Sequence, residues 1–548
     1  MIRKHIVAML FALFAAIALL FVVGCGDDDD DDNDDNDVAD DDTVDDDALD
    51  DDTVDDDALD DDAVDDDTLD DDTLDDDTGD DDDTGDDDDT GDDDTGDPDD
   101  YIAPWPQENL EEQNYNEALT AGYLREKAEA YDVNHVDNHQ PFYGGEVHTR
   151  FTDETRTVVQ SYHGYGDSTI WTGTYLASQA FRYWVTGDEQ AKTNVIKAVN
   201  ALSGHLHVTG KEGFISRYWA PQDPTVYYGD EWCAENDRCH NIEEGEYAGD
   251  FWWGETSRDQ YTGWFFGMCM AYDLVDDADM RDIIRADVAE VLDELIGTNW
   301  MIIDEAGEPT DAAPNVMLGF RLSWLTSGYH ITGAERFKVE LQKLMLDSQR
   351  TAFKLSHIAF LNRYAQYYGN NLAHTNWYNI LRLGRVYYSE DDYNFFLDLF
   401  NSQVHTFTKL SHNPWFNGVY MSQGGYEPAK DDPHLDQLTE DLTDFKDCPK
   451  LQYYLPERTG VTLDPFSVFM DDLQEQLPWL AELIGEIDPQ ALEPFPVPQQ
   501  CTSGFIFQRN PFQVLECGSD DPTMENSGGD YLIAYWLATY HKFLTKDL

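Results

Sequence analysis

Between residues 159 and 204 the apolar positions fall at helical spacing twice over. Ile170, Gly173, Ala177, Phe181 and Trp184 make one stripe, and Ala191, Val195, Val199 and Leu202 make a second. Gly187 and Asp188 stand between them. A glycine closes a helix by taking the left-handed conformation, and an aspartate accepts from the first free N–H groups of the next helix. The segment is therefore predicted to be a helical hairpin with a tight TGD turn. The unit recurs. Residues 262–298 carry Phe266, Met270 and Leu274, the turn VDDAD, then Ile284, Val288, Val291 and Leu295. Residues 316–347 carry Leu318, Leu322 and Leu325, the turn ITGAE, then Phe337, Leu341 and Leu344. Residues 374–408 carry Trp377, Leu381, Gly384 and Tyr388, the turn SEDD, then Phe396, Leu399 and Phe400. A helix at 114–132 opens the region, one at 530–544 closes it, and weaker helical candidates lie between 464 and 493. Ten to twelve helices are expected, with no strand pattern strong enough to predict a sheet.

Turns within hairpins are short, whereas the links between them, 204–261, 299–315, 348–373 and 409–529, are long. If the hairpins stand side by side round a ring, every short turn lies on one face and every long link on the other. Long loops of varied composition on a rigid scaffold are where function is expected. The working face is then the one on which the first helix of each hairpin begins.

Repeated hairpins, TGD-type turns, aromatic-rich helix starts and the closing SGGDYLIAYWLATYHKFL resemble the (α/α)6 toroids of the six-hairpin glycosidase kind, over residues 114–544. That group includes unsaturated glucuronyl hydrolases, other glycosidases and several polysaccharide lyases. The resemblance implies an all-α fold for a domain spanning 101–548 and an activity on polysaccharide or oligosaccharide. It rests on architecture, since no single family's catalytic motif matches residue by residue. Similar toroids also serve as prenyltransferases, terpene cyclases and epimerases, so fold alone does not fix the chemistry.

The first hundred residues are of another kind. Residues 1–25 join a basic start, Arg3 and Lys4, to an apolar run that ends Val22-Val23-Gly24-Cys25, which resembles a bacterial lipoprotein signal. The resemblance implies cleavage before Cys25, its lipidation, and an exported protein held on a membrane, either at the outer membrane or cell surface or facing the periplasm. Residues 26–100 are loose repeats of DDDTV, DDDAL, DDDTL and DDDTG, with 47 Asp and no Lys or Arg between Asp27 and Asp100. Such a segment buries too little apolar surface to fold and repels itself, so it reads as an extended, disordered tether. Dense carboxylates attract hard cations, which leaves Ca2+ as the one cofactor the composition admits, although EF-hand spacing is absent. Removing those 47 acids from the chain's 116 leaves 69, against 30 Lys and Arg once Arg3 and Lys4 are set aside. The body lacks the clustered positive charge that nucleic acid requires. It is expected to work as a monomer.

Six cysteines follow Cys25. In an exported chain the default is disulfides, most simply Cys233 with Cys239, and Cys501 with Cys448 or Cys517, while Cys269 on an apolar helix face is expected to be a free buried thiol. A zinc site from Cys233, Cys239 and His240 lacks a fourth ligand at a recognisable spacing. His135, His139 and His148, near Asp132 and Asp137, are read as a hydrogen-bonded loop, and no metal site is predicted.

Glycoside hydrolysis commonly uses two carboxyl groups flanking the scissile bond, one protonated and one ionised. Asp167 and Asp259 stand at equivalent places before two successive hairpins and form the first candidate pair, with Glu255 in reserve. A uronate lyase would instead use Tyr261 or His374 as base, beside Arg258 or Asn371. Trp171, Trp253, Arg258, Asn371, Trp377, Arg509 and Asp530 are the candidate substrate contacts: flat faces for a pyranose ring, amides and guanidinium for its polar groups. The alternative is a non-catalytic glycan-binding or structural surface lipoprotein. An aspartate just before a helix is commonly a cap, and tryptophans at helical spacing are commonly core. Gly166-Asp167-Ser168, with Asp431 three before His434, is similar to the blocks of GDS-type esterases, but that nucleophile block follows an apolar strand of a parallel sheet and the lead-in here is SYHGY.

Overall fold

The structure, a computed structural model, describes residues 122–544 except 305, 311–313, 315–316, 357–360, 424–432 and 503. The expected lipoprotein signal with Cys25, the expected tether 26–100, the start of the expected domain at 101–121, and Asp431 lie outside the described residues.

The described residues are helix-rich, with sixteen α-helices and two small antiparallel sheets. The anticipated hairpins form with boundaries shifted by a few residues. The first is α2 (Ser168–Thr186) and α3 (Glu189–His207), where Gly187 has φ 64° and the Asp188 side chain accepts from the Gln190 N–H at 2.9 Å. The second is α5 (Arg258–Leu274) and α6 (Ala278–Gly297), the latter capped by Asp277 on the Met280 N–H at 3.1 Å. Then come α7 (Leu318–Thr332) with α8 (Glu335–Leu344), and α10 (Tyr368–Tyr387) with α11 (Glu390–Leu399). The opening helix is α1 (Tyr123–Asn138) and the closing one is α16 (Gly529–Tyr540).

A further pair, α12 (Pro414–Met421) and α13 (Pro433–Asp444), lies inside the stretch 409–529 that the sequence reading took as one long link. α12 is too short for two apolar turns to register as a period, yet Asn413 caps it on the Phe416 N–H and Pro414 starts it. With this pair in place the contacts run in a circuit: α2 packs on α5, α5 on α7, α7 on α10, α10 on α12, α12 on α16, and α16 on α2. Each of these helices also packs on a further helix: α3, α6, α8, α11, α13 and α1 respectively.

The sheets were not expected. β1 (His148–Phe151), β2 (Val159–His163), β6 (Lys450–Leu451) and β7 (Met524–Asn526) assemble in the order β2-β1-β7-β6. β3 (Tyr218–Pro221), β4 (Cys239–Asn241) and β5 (Asp250–Trp253) assemble in the order β3-β5-β4 within the link 204–261. These strands hold two to five residues, and β5 is buried at all four positions, so there is no alternation for a period-two search to find. The lead-in to Asp167 is thus a strand after all, but its sheet is antiparallel and Ser168 is fully buried, unlike an esterase nucleophile. Cys233 and Cys239 are joined as expected, tying helix α4 (Asp230–Ala234) to β4. Cys448, Cys501 and Cys517 are not disulfide-bonded, so the second anticipated disulfide is not formed, although Cys517 and Cys501 hydrogen-bond to each other.

The closest helix pair is α2 with α5. Gly173, Gly263 and Gly267 face one another across it: a Cβ on Gly263 would lie 2.4 Å from the Ile170 Cα, and one on Gly173 would lie 2.0 Å from the Gly263 carbonyl oxygen. Only the missing side chains let the two backbones touch. That contact sets the starts of the two helices, and hence Asp167 and Asp259, side by side.

Burial leaves seven histidines with depressed pKa values: His148, His205, His374 and His541 at about 3, His163 at about 4, and His135 and His405 below the usual value. Each stays neutral in the fold and binds a proton near pH 6.5 once unfolded, so its stabilisation is present above pH 6.5 and is lost as pH falls. Three carboxyls oppose this, because burial raises Asp132 to about 7, Asp441 to about 6 and also Asp488, and they favour the fold as pH drops toward 3.8. The histidines outnumber the opposing carboxyls, so unfolding takes up protons between roughly pH 6 and 4 and the fold loses stability as pH falls. Against a typical stability of about 5–15 kcal/mol, the domain is expected to unfold cooperatively as pH falls between about 6 and 4. A circular-dichroism titration in which native helicity persists at pH 4 would contradict this account.

Candidate functional site

At the starts of α2, α5 and α10 lies a tight cavity, with no room in it for a water molecule, lined by Asp167, Ile170, Trp171, Asp259, Tyr368, Asn371, Leu372 and Gln508. The first candidate pair, Asp167 and Asp259, therefore opens on one hollow, together with two of the candidate substrate contacts, Trp171 and Asn371.

Asp167 occupies the N-cap position of α2 but makes no capping hydrogen bond. Its carboxylate instead accepts from the Gln260 side chain at 3.3 Å and lies 3.6 Å from the Arg217 guanidinium. Gln260 is fully buried and holds the gap between the two helix starts. Its Nε2 donates to Asp167 and to the Gly166 carbonyl at 3.3 Å, and its Oε1 accepts from the Ile170 N–H at 3.1 Å. Nothing in the sequence singles out Gln260 beyond its place beside Asp259. Asp259 is half-buried in the first turn of α5.

Trp171 is 5% exposed, and its ring stacks on Phe505 with centroids 4.1 Å apart and planes at 9°. Phe505 belongs to the loop that also delivers Gln508. That loop is pinned by a buried ion pair, in which Asp530 takes the Lys450 ammonium and the Ile506 N–H at 2.8 Å while Lys450 also donates to the Gly504 carbonyl at 2.8 Å. Asp530 thus holds the wall from behind and does not line the cavity. Asn371 is 3% exposed and its Oδ1 has no hydrogen-bond partner among the described residues. A buried carbonyl oxygen facing a cavity without a donor is an acceptor awaiting one.

The other candidates lie elsewhere. Glu255 is at the surface in a left-handed conformation, φ 52°, paired with Arg238. Tyr261 is buried and donates to the Gly213 carbonyl at 3.0 Å, and burial pushes its phenol well up. His374 is buried against Phe416, ring centroids 3.9 Å apart, with Nδ1 on the Asn370 carbonyl at 2.7 Å, and burial takes it down to about 3. Trp377 packs on Phe396 and Phe400 in the core. Trp253 is on β5, stacked on Trp232 at 5.5 Å and meeting Tyr165 edge-on at 5.1 Å, one residue pair away from Asp167 in the turn Tyr165–Asp167. Arg258 opens α5, and Arg509 follows Gln508, but neither lines the cavity.

Of the histidines of the stretch 132–148, His135 and the buried Glu146 are joined at 2.9 Å, and His139 and Glu525 at 3.1 Å. Residues up to Asn138 are helix, not loop. Among the described residues no group of three or more His, Cys, Asp or Glu is arranged to hold a metal ion, and no helix is long and apolar enough to cross a membrane. No family model, curated protein or solved structure matches the chain.

Proposed function

We propose that the chain is an (α/α)6 toroid that hydrolyses glycosidic bonds, with Asp167 and Asp259 as the paired carboxyl groups. The circuit of six helices, each packed on a further helix, supports the toroid. The observation that carries the chemistry is the shared lining, where two carboxylates stand with an aromatic ring and an unpartnered amide oxygen; the walls must part to seat a sugar ring. Asp167, with Gln260 and Arg217 offering donors to its oxygens, suits the base or nucleophile, which leaves Asp259 as the acid that protonates the leaving oxygen. A lyase has less support, because both of its candidate bases, Tyr261 and His374, are buried outside the cavity with their polar atoms engaged. No cofactor enters this reading. The lipidated Cys25 and the acidic tether would hold the domain out from a membrane, a role supported by the sequence alone.

Asp259→Asn and Asp167→Asn are each expected to lower kcat on a responsive polysaccharide by about 10²–10⁴-fold or more, with circular dichroism unchanged and oligosaccharide affinity within a few-fold of wild type. Binding by the wild-type chain with no turnover on any glycan would favour the non-catalytic reading and remove the hydrolase.

A further inference from the structure

We infer that Ser161 and His163 form a nucleophile and base that hydrolyse small carboxylic esters, at a site apart from the Asp167–Asp259 hollow and independent of the glycosidase reading. The two residues stand two apart on β2, so their side chains leave the same face of the strand, and the Ser161 Oγ lies 2.7 Å from the His163 Nε2. At that separation an imidazole takes the proton of a hydroxyl as the oxygen attacks. β2 is the outermost strand of its sheet, and Ser161 keeps 9% of its surface exposed beside a half-buried His163. An acetyl-sized group suits so narrow an approach.

The neighbouring strand supplies the other half of the site. Arg150 stands directly across the ladder from Ser161, and His148 across from His163. Side chains opposite one another on antiparallel strands share a face, with Cβ atoms about 5 Å apart. Asp521 holds the Arg150 guanidinium through Nη2 at 3.3 Å, yet the Arg150 Nε is buried without a hydrogen-bond partner among the described residues. A buried N–H that lacks an acceptor is a donor ready for one. Beside a nucleophile it is placed to receive the oxyanion that forms when a carbonyl is attacked. His148 is fitted against the chain just past His163, because Gly164 has no Cβ, which would otherwise lie 2.6 Å from the His148 Cδ2. The charged and titratable groups around His163 are thus Arg150, Asp521 and His148. Burial and the Arg150 charge take His163 down to about 4 against the pull of Asp521, so its ring is neutral at pH 7 and free to accept a proton.

In the tautomer with its proton on Nδ1, His163 takes the hydroxyl proton at Nε2 while the Ser161 oxygen bonds to the ester carbon. The oxyanion turns to the Arg150 Nε–H, the bond to the alcohol oxygen breaks, and His163 hands its proton to that oxygen. Water then attacks acetyl-Ser161 with the same proton transfers, releasing the acid and restoring the serine.

The test is run on the full chain at neutral pH. Methanesulfonyl fluoride, which forms an Oγ–S bond and expels fluoride, is expected to label Ser161 in the native protein, as located by peptide mass spectrometry, and to leave it unlabelled in urea. With p-nitrophenyl acetate as substrate, Ser161→Ala and His163→Gln are each expected to lower kcat by about 10²-fold or more, with circular dichroism unchanged. Arg150→Met is expected to lower kcat by about 10²-fold while KM stays within a few-fold, the mark of a contact made only in the transition state. The labelling needs no variant to fold. A native Ser161 that takes no label, a label equally strong after unfolding, or ester hydrolysis that survives Ser161→Ala would each overturn the inference.

Discussion

Gly263→Ala is expected to destabilise the domain by about 3 kcal/mol, at the top of the range for overpacking, and to abolish turnover. The added Cβ would fall 2.4 Å from the Ile170 Cα and 2.5 Å from the Ile170 carbonyl oxygen. Both are backbone atoms, so no rotamer change relieves the clash, and α2 and α5 must move apart. Gly173→Ala, whose Cβ would meet the Gly263 carbonyl oxygen at 2.0 Å, is expected to behave alike. Because Asp167 and Asp259 begin these two helices, parting them opens the cavity between the carboxylates, and small misplacements of reacting groups are costly. Gly297→Ala is the control: it lies at the end of α6 with nothing within 4 Å of its Cβ, and it should be neutral or slightly stabilising. Denaturant midpoints and glycan turnover of the three variants check this. A Gly263→Ala midpoint equal to that of Gly297→Ala would show that the helix contact is not a close packing.

The second large effect is expected at Asp273. This carboxylate lies fully buried on α5 and binds Arg382 of α10, itself fully buried, and His330 of α7 at 2.5 Å. Burial alone would raise its pKa, but His330 and Arg382 outweigh burial and hold it at about 2. Arg382 also reaches the Cys269 sulfur of α5 at 3.1 Å and the Asn379 Oδ1 of its own helix at 3.3 Å, so its guanidinium ties α10 to α5, and Asp273 joins both to α7 through His330. Asp273→Asn leaves that cation buried without a counter-charge, which costs about 3–5 kcal/mol. The double replacement Asp273→Leu with Arg382→Met removes both charges and is expected to recover much of the loss. Chemical denaturation of the single and double variants measures this. A double variant no more stable than Asp273→Asn would show that the network contributes through its shape and not through its charge.

Much of the scaffold could be read in advance because helix periodicity and turn chemistry are local. Gly187, Asp188, Asp277 and Ser389 act where their residue types place them, at helix ends. The fifth hairpin escaped because α12 is a short helix, and the sheets escaped because their strands are shorter than the period that would reveal them. Candidate site residues divided along a related line. Asp167, Asp259, Trp171 and Asn371 line the cavity, while Tyr261, His374, Trp377 and Asp530 are turned into the interior. One residue either way along a helix start rotates a side chain by about 100°, and residue type does not reveal which way it faces.

The sequence by itself determined the acidic N-terminal stretch, the paired-helix repeat, its stop signals and the Cys233–Cys239 link, all of which depend on composition or on residues near one another in the chain. Tertiary structure alone decided that Gly173 meets Gly263, that Lys450 and Asp530 prop Phe505 against Trp171, and that Gln260 stands beside Asp167. Those contacts join segments tens to hundreds of residues apart, and only the packing of helix on helix selects which of many chemically similar side chains share a cavity.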